Sequence, residues 1–227
     1  MLSSILVVSC SNEKLGTSST SSQRLERVTF TVGENPHWVA VEKLNDDMSM
    51  VATANSDSNN VSVLLLSGNN FCPRVDKATG PNPVFVAIGD FNEDGAKDLV
   101  VINRGPDSPS NTLSILLGVT GPPKEPQFES PKSLEVKGGA RSVIVVDVDG
   151  DKHQDLVVTN TTSNEVSVLL GDGKAGFTLK QSIGVGTRPS SVTSGDFNGD
   201  GYLDLAVTNE GSNNVSILLG DGRGGFK

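Results

Sequence analysis

Short apolar runs recur along the chain, and each is followed by a polar turn. Leu99-Val100-Val101-Ile102, Leu156-Val157-Val158 and Leu205-Ala206-Val207 lead into turns rich in Asn and Ser. Alternating runs follow, such as Val166-Ser167-Val168-Leu169 and Val215-Ser216-Ile217-Leu218. The runs have strand length, and no segment sustains a helical period. The pattern predicts an all-β chain.

The runs belong to a larger repeat. Pro36–Leu66, Pro83–Gly118, Ala140–Phe177 and Pro189–Phe226 align, with Lys43, Asp90, Asp147 and Asp196 at equivalent points about 47 to 57 residues apart. That period is the length of a propeller blade. Each repeat reads as four short strands: Ser191–Phe197, Leu205–Thr208 and Val215–Leu219 illustrate the first three, and Phe177–Val185 the fourth. A single such sheet cannot bury both faces, so sheets must stack. The expected architecture is a β-propeller of about four four-stranded blades over residues 25–227, with repeats near 36–79, 83–137, 140–185 and 189–227. Insertions fall at Arg104–Pro109 and Gly121–Pro126. Leu25–Val32 reads as a fourth strand without its three predecessors. It would close the ring by completing the last blade; otherwise the chain is part of a larger ring.

Candidate chemistry lies between the first and second strands. Three repeats carry Asp-x-[Asp/Asn]-x-Asp-x-x-x-Asp: Asp90, Asn92, Asp94 and Asp98; Asp147, Asp149, Asp151 and Asp155; Asp196, Asn198, Asp200 and Asp204. Oxygen ligands at alternate positions of a tight loop can converge on one centre. Calcium takes about 6–8 oxygens at roughly 2.3–2.6 Å, from side chains and loop carbonyls. About three calcium sites are expected. Magnesium prefers stricter octahedral geometry, and no loop offers a His or Cys set for zinc. Gly95 and Gly201 occupy the sixth position, where a left-handed backbone is needed. The second loop has Lys152 there. In the first repeat Lys43 and Met50 replace the first and last acids, so no metal is expected.

The formal net charge of -9 argues against nucleic acid, whose affinity comes from cations neutralising phosphate. The sequence Gly-x-Gly-x-x-Gly occurs at Gly171–Gly176 and Gly220–Gly225, but as a turn between strands with no helix after it, which excludes the nucleotide-binding reading. No Ser-His-Asp set or acid pair stands apart from the calcium loops, and no enzyme is expected. Cys72 is expected to be a small buried residue without a partner inside the domain.

The motifs, above all Gly89–Gly95 (GDFNEDG) and Gly195–Gly201 (GDFNGDG), resemble the FG-GAP or VCBS-type repeat, the unit of the integrin α-chain propeller and of many secreted bacterial proteins. The resemblance implies calcium loops that support one face of a ring. It implies adhesion, ligand binding, or attachment to an enzyme as an accessory module.

The first ten residues form an apolar leader ending in Val7-Val8-Ser9-Cys10, and a Ser/Thr-rich linker follows over 11–24. This resembles a bacterial lipobox, although no Lys or Arg precedes the apolar run. It makes Cys10 a candidate lipid anchor and the protein extracytoplasmic: secreted, periplasmic or held at the cell surface.

The reading is a calcium-binding, non-enzymatic binding or adhesion module. The alternatives are an accessory domain of a secreted polysaccharide-acting enzyme and a purely structural scaffold. A protein or glycan partner is expected on the face opposite the calcium loops, which carries His37, Asn82, Arg104, Asp107, Arg141, Arg188 and Glu210, with Asn59, Asn111, Asn164 and Asn213 at its turns.

Overall fold

The computed structural model describes residues 29–67, 70–105, 111–120, 126–136 and 138–227. Every element among them is a β-strand. The first sheet contains β1 (Pro36–Lys43), β2 (Met48–Asn55), β3 (Asn60–Ser67), β4 (Asn70–Phe71) and β5 (Val75–Ala78); β4 and β5 both pair with β3. The second contains β6 (Pro83–Gly89), β7 (Asp98–Arg104), β8 (Asn111–Leu116) and β9 (Lys132–Val136). The third contains β10 (Ala140–Val146), β11 (Asp155–Asn160), β12 (Glu165–Gly171) and β13 (Phe177–Gly184). The fourth contains β14 (Pro189–Gly195), β15 (Asp204–Asn209) and β16 (Asn214–Leu218). All pairs are antiparallel, and apart from β3 with β5 they join chain neighbours, as in the blades of a propeller.

Burial explains the apolar runs. The second strand of each repeat lies deepest, and every residue of β11 is buried. It has sheets on both faces, so it reads as continuous apolar sequence rather than alternating. The outer strand β13 alternates between exposed and half-buried positions. Three cores join the four sheets. Met50, Val61 and Val63 meet Val86, Leu99 and Val101 between the first and second. Phe85, Val100 and Leu113 meet Val143, Leu156 and Val158 between the second and third. Val157, Val166 and Val168 meet Val192, Leu205 and Val207 between the third and fourth.

The described residues form no closed ring. Thr29–Val32 is not a strand, and the rest of the proposed closing strand, residues 25–28, lies outside the described residues. The Thr31 carbonyl accepts a hydrogen bond from Arg74 Nη1 at 2.8 Å, and the Gly33 N–H donates to Ser62 Oγ at 3.2 Å. These bonds hold the segment against the first sheet, not the last. Val39 and Val41 on β1, and Val215 and Ile217 on β16, remain exposed at the two ends of the stack. The first sheet builds its fourth position from two pieces, and the last has three strands plus a bridge between Gly220 and Phe226.

Cys72 is buried as expected, and it is disulfide-bonded. Cys10 and the linker lie outside the described residues.

A feature not read from the sequence ties each repeat together. Asn55, Asn160 and Asn209 end their second strands and Asn103 stands one residue before the end of β7, all buried. Each Nδ2 donates to a serine on the third strand: Ser62 at 2.9 Å, Ser114 at 2.8 Å, Ser167 at 2.8 Å and Ser216 at 2.9 Å. Replacing one of these removes a hydrogen bond from the interior of the sheet, and Ser114 would keep only the Gly80 N–H, at 3.2 Å. Asn103→Ala should therefore cost about 0.5–1.5 kcal/mol, the net worth of one such bond. Urea unfolding would show this as a lower midpoint with unchanged slope; an unchanged midpoint would refute the assignment.

Candidate metal centre

The three acidic loops fold alike. The sixth-position N–H donates to the first Asp: Gly95 to Asp90 Oδ2 at 3.1 Å, Lys152 to Asp147 Oδ2 at 3.0 Å, Gly201 to Asp196 Oδ2 at 3.0 Å. The seventh-position N–H donates to the fifth-position Asp: Ala96 to Asp94, His153 to Asp151 and Tyr202 to Asp200, at 2.8, 2.8 and 2.9 Å. The shared pattern wraps the backbone around the acids. It needs a left-handed residue at position six, where Gly95 has φ 86° and Gly201 φ 87°. Lys152 adopts the same turn at φ 76°, so the loop keeps its shape despite the side chain.

The carboxylates of Asp147, Asp149 and Asp151 each place an oxygen within 4.8 Å of the others. Oxygens on opposite sides of one calcium ion are separated by about 4.6–5.2 Å, so one ion can touch all three. Asn92 and Asn198 hold the middle position in the other two loops. Asp90 Oδ1 is buried and lacks a hydrogen-bond partner, the only carboxylate oxygen of this kind among the described residues. Both observations fit a hard cation bound by oxygen.

The closing acids occupy a different environment. Asp98, Asp155 and Asp204 are fully buried. One oxygen of each accepts the N–H of the second loop residue: Phe91 at 2.7 Å, Val148 at 2.8 Å and Phe197 at 3.0 Å. The other accepts the N–H of a glycine at or just past the end of the third strand: Gly118 at 2.7 Å, Gly171 at 2.8 Å and Gly220 at 2.9 Å. These acids join the loop to the turn beside it. The approach is close: a Cβ on Gly220 would lie 2.1 Å from the Leu203 carbonyl oxygen. The first repeat has Met50 at this point, opposite Glu42 on β1, and Lys43 pairs with Asp46 at 3.2 Å in an exposed turn.

Burial pushes the Asp98 and Asp155 carboxyls up to about 6; the donated N–H bonds pull the other way and the neighbouring loop acids push further up. Asp196 lies in the open and is held below its ordinary range by the N–H groups of Gly201 and Gly199. The loops also contact one another. His153 Nδ1 meets Glu93 Oε1, and that contact raises the His153 pKa. The Asp90 N–H donates to Gln154 Oε1 at 2.6 Å, and the Ala175 N–H to the Phe91 carbonyl at 2.8 Å.

On the opposite face, the turn asparagines stitch neighbouring repeats together. Asn59 Oδ1 accepts the Asn82 N–H at 2.8 Å and Asn164 Oδ1 accepts the Arg188 N–H at 2.7 Å. Arg141 Nη1 pairs with Glu210 Oε2 at 2.8 Å, and Arg188 lies 3.7 Å from the other oxygen of Glu210. Asp107 lies outside the described residues.

The raised carboxyl of Asp155 ties stability to pH. Between about pH 4 and pH 6 the unfolded chain has lost a proton that folded Asp155 still holds, so this residue lowers metal-free stability as pH rises. An Asn cannot titrate. The unfolding free energy of Asp155→Asn minus wild type should therefore rise across that window by on the order of 1 kcal/mol in metal-free buffer. A flat difference would show that Asp155 titrates normally.

The FG-GAP-like repeat family matches residues 147–207, from the first acid of the second loop through most of β15. A crystal structure of a protein from Lactobacillus plantarum aligns over 88% of this chain and 56% of that one, with TM-score 0.59 and 14% identity. A functionally unknown protein from Desulfotomaculum acetoxidans DSM 771 aligns over 89% of this chain and 75% of that one, with TM-score 0.44 and 13% identity. The chain thus spans little more than half of the first of these proteins, and that likeness concerns the fold alone. No curated protein matches the chain significantly.

Proposed function

We propose that this chain, which carries the FG-GAP-like repeat, is a calcium-stabilised, non-enzymatic binding module whose sheets are consecutive blades of a propeller. The observation that carries the reading is the convergence of Asp147, Asp149 and Asp151 within a loop fold that occurs three times. In each loop the first, third and fifth side chains would hold the ion: Asp90, Asn92 and Asp94; Asp147, Asp149 and Asp151; Asp196, Asn198 and Asp200. The closing acids Asp98, Asp155 and Asp204 would add negative charge behind it while bracing the loop. Bound calcium supplies a divalent charge that offsets repulsion among these carboxylates.

The ion acts on structure rather than on a reaction. The first two calcium loops touch through His153 and Glu93, and through Gln154 and Asp90. Fixing one loop therefore restrains the next sheet. The rigid stack presents its opposite face to a protein or glycan partner.

An extracytoplasmic location suits this reading. A disulfide at Cys72 persists in oxidising compartments, and calcium is plentiful there. Fractionation of the producing cells should place the protein outside the cytoplasm, with Cys72 oxidised on non-reducing analysis. Recovery with cytoplasmic markers and a reduced Cys72 would contradict the location.

Calorimetric titration of the metal-stripped protein should show about three calcium ions bound. At a calcium concentration about a hundred times Kd each site would add about 2.7 kcal/mol to folding stability. The triple change Asp147→Asn, Asp149→Asn, Asp151→Asn should remove one ion from the count and part of the thermal shift. No heat on titration, with a melting temperature indifferent to chelator, would overturn the proposal.

A further inference from the structure

The first strands of all four repeats begin around one cavity of about 490 Å³. It lies at the end of these strands opposite the acidic loops, which follow their other ends. The volume falls within the usual range for small-ligand sites, roughly 300–1,000 Å³.

Its chemistry contrasts with the acidic protein around it. Arg104, at the end of β7, and Arg141, on β10, both line it. Arg141 is paired with Glu210, but no described carboxylate lies within 4.0 Å of an Arg104 nitrogen. Burial and the neighbouring Arg141 charge lower the Arg104 pKa. Two guanidinium groups thus share a partly enclosed space with one carboxylate partner between them. An anion entering there would find a fork of donors suited to a carboxylate.

The same cavity carries an aromatic platform. Trp38 stacks on Phe85, with ring centroids 4.2 Å apart and planes 21° apart. Phe85 is buried and fixes one face of the indole, whereas Trp38 remains 46% exposed. A large apolar ring held rigidly, with its other face free, is a costly surface to leave in water. His37, Val84, Ser142, Ser190 and Ser191 complete the lining. An aromatic face, polar serine and histidine positions and a guanidinium pair together match a sugar ring bearing a carboxylate. A simple anion would use the arginines but not the indole, and an apolar ligand would leave Arg104 without a counter-charge.

We propose that this cavity binds an acidic saccharide, with a sugar face stacked on Trp38 and a carboxylate held between Arg104 and Arg141. The proposal rests on the chain being a binding module and names the class of its ligand.

The probes are a galacturonic acid tetramer and a neutral galactose tetramer, titrated into the calcium-loaded full chain. The acidic tetramer should bind at least about tenfold more tightly. Arg104→Gln and Trp38→Ala should each weaken it by about tenfold or more, with an unchanged calcium count and melting profile. Trp38→Phe preserves packing should the alanine variant not fold, and should weaken binding by a smaller factor. Added acetate should compete only weakly. Equal binding of the two tetramers, no binding of either, wild-type affinity in both Arg104→Gln and Trp38→Phe, or acetate competing as strongly as the acidic tetramer would each overturn the proposal. The calcium titration is read separately: loss of the calcium signal with the sugar signal intact would sink the metal reading alone. Cleavage of the tetramer by the chain would sink the non-enzymatic reading instead.

Discussion

A buried carboxylate holding two backbone N–H groups is the constraint on which the three acidic repeats depend. Asp98, Asp155 and Asp204 each begin a second strand and each are removed from water. A charge in that position is tolerated only when its oxygens are occupied. Each does so by taking one N–H from the start of the acidic loop and one from the glycine at or just past the end of the third strand. Two connections distant in sequence are thereby pinned to one side chain. The loop can then curl its remaining acids toward a common point. The close contact that makes glycine necessary at 118, 171 and 220 follows from the same geometry.

Stacking distributes that local order across the molecule. Each pair of neighbouring sheets shares one apolar core, so displacement of one sheet exposes the face of the next. Polar contacts reinforce the alignment. Gln154 reaches the second repeat at Asp90, and Gln181 holds Phe226 of the fourth through both its amide atoms at 3.1 Å. The first strands then run side by side through the stack, with the acidic loops at one end and the Trp38–Arg104 cavity at the other. A cation at one end and a ligand at the other would act on the same four strands. This physical connection makes a binding role for the second face compatible with a structural role for the first.

Much of this was legible in the chain itself. Repeated apolar runs located the second and third strands because burial on both faces demands them. The recurring Asp pattern located the loops because side chains at alternate positions of a tight turn accept its backbone N–H groups. The boundary errors are small and physical: the first strand of the last repeat ends at Gly195 rather than Phe197, because the Phe197 N–H turns away to Asp204. The asparagine–serine bonds left a visible trace as Asn160 and Ser167, and their equivalents, recurring in every repeat. That signal was hidden by the ordinary preference of both residues for turns.

The amino-acid order by itself determined the all-β class, the number of repeats, the acidic loops and the repeat lacking one, since all of these depend on neighbours a few positions apart. Only the tertiary structure decided that the closing acids serve as buried braces, that Thr29–Val32 lies by the first sheet, and that Trp38, Phe85, Arg104 and Arg141 surround one cavity. Those residues come from three repeats, and no local spacing records which of them meet. Their meeting is set by how apolar sheet faces pack, a property of the folded stack rather than of any one segment.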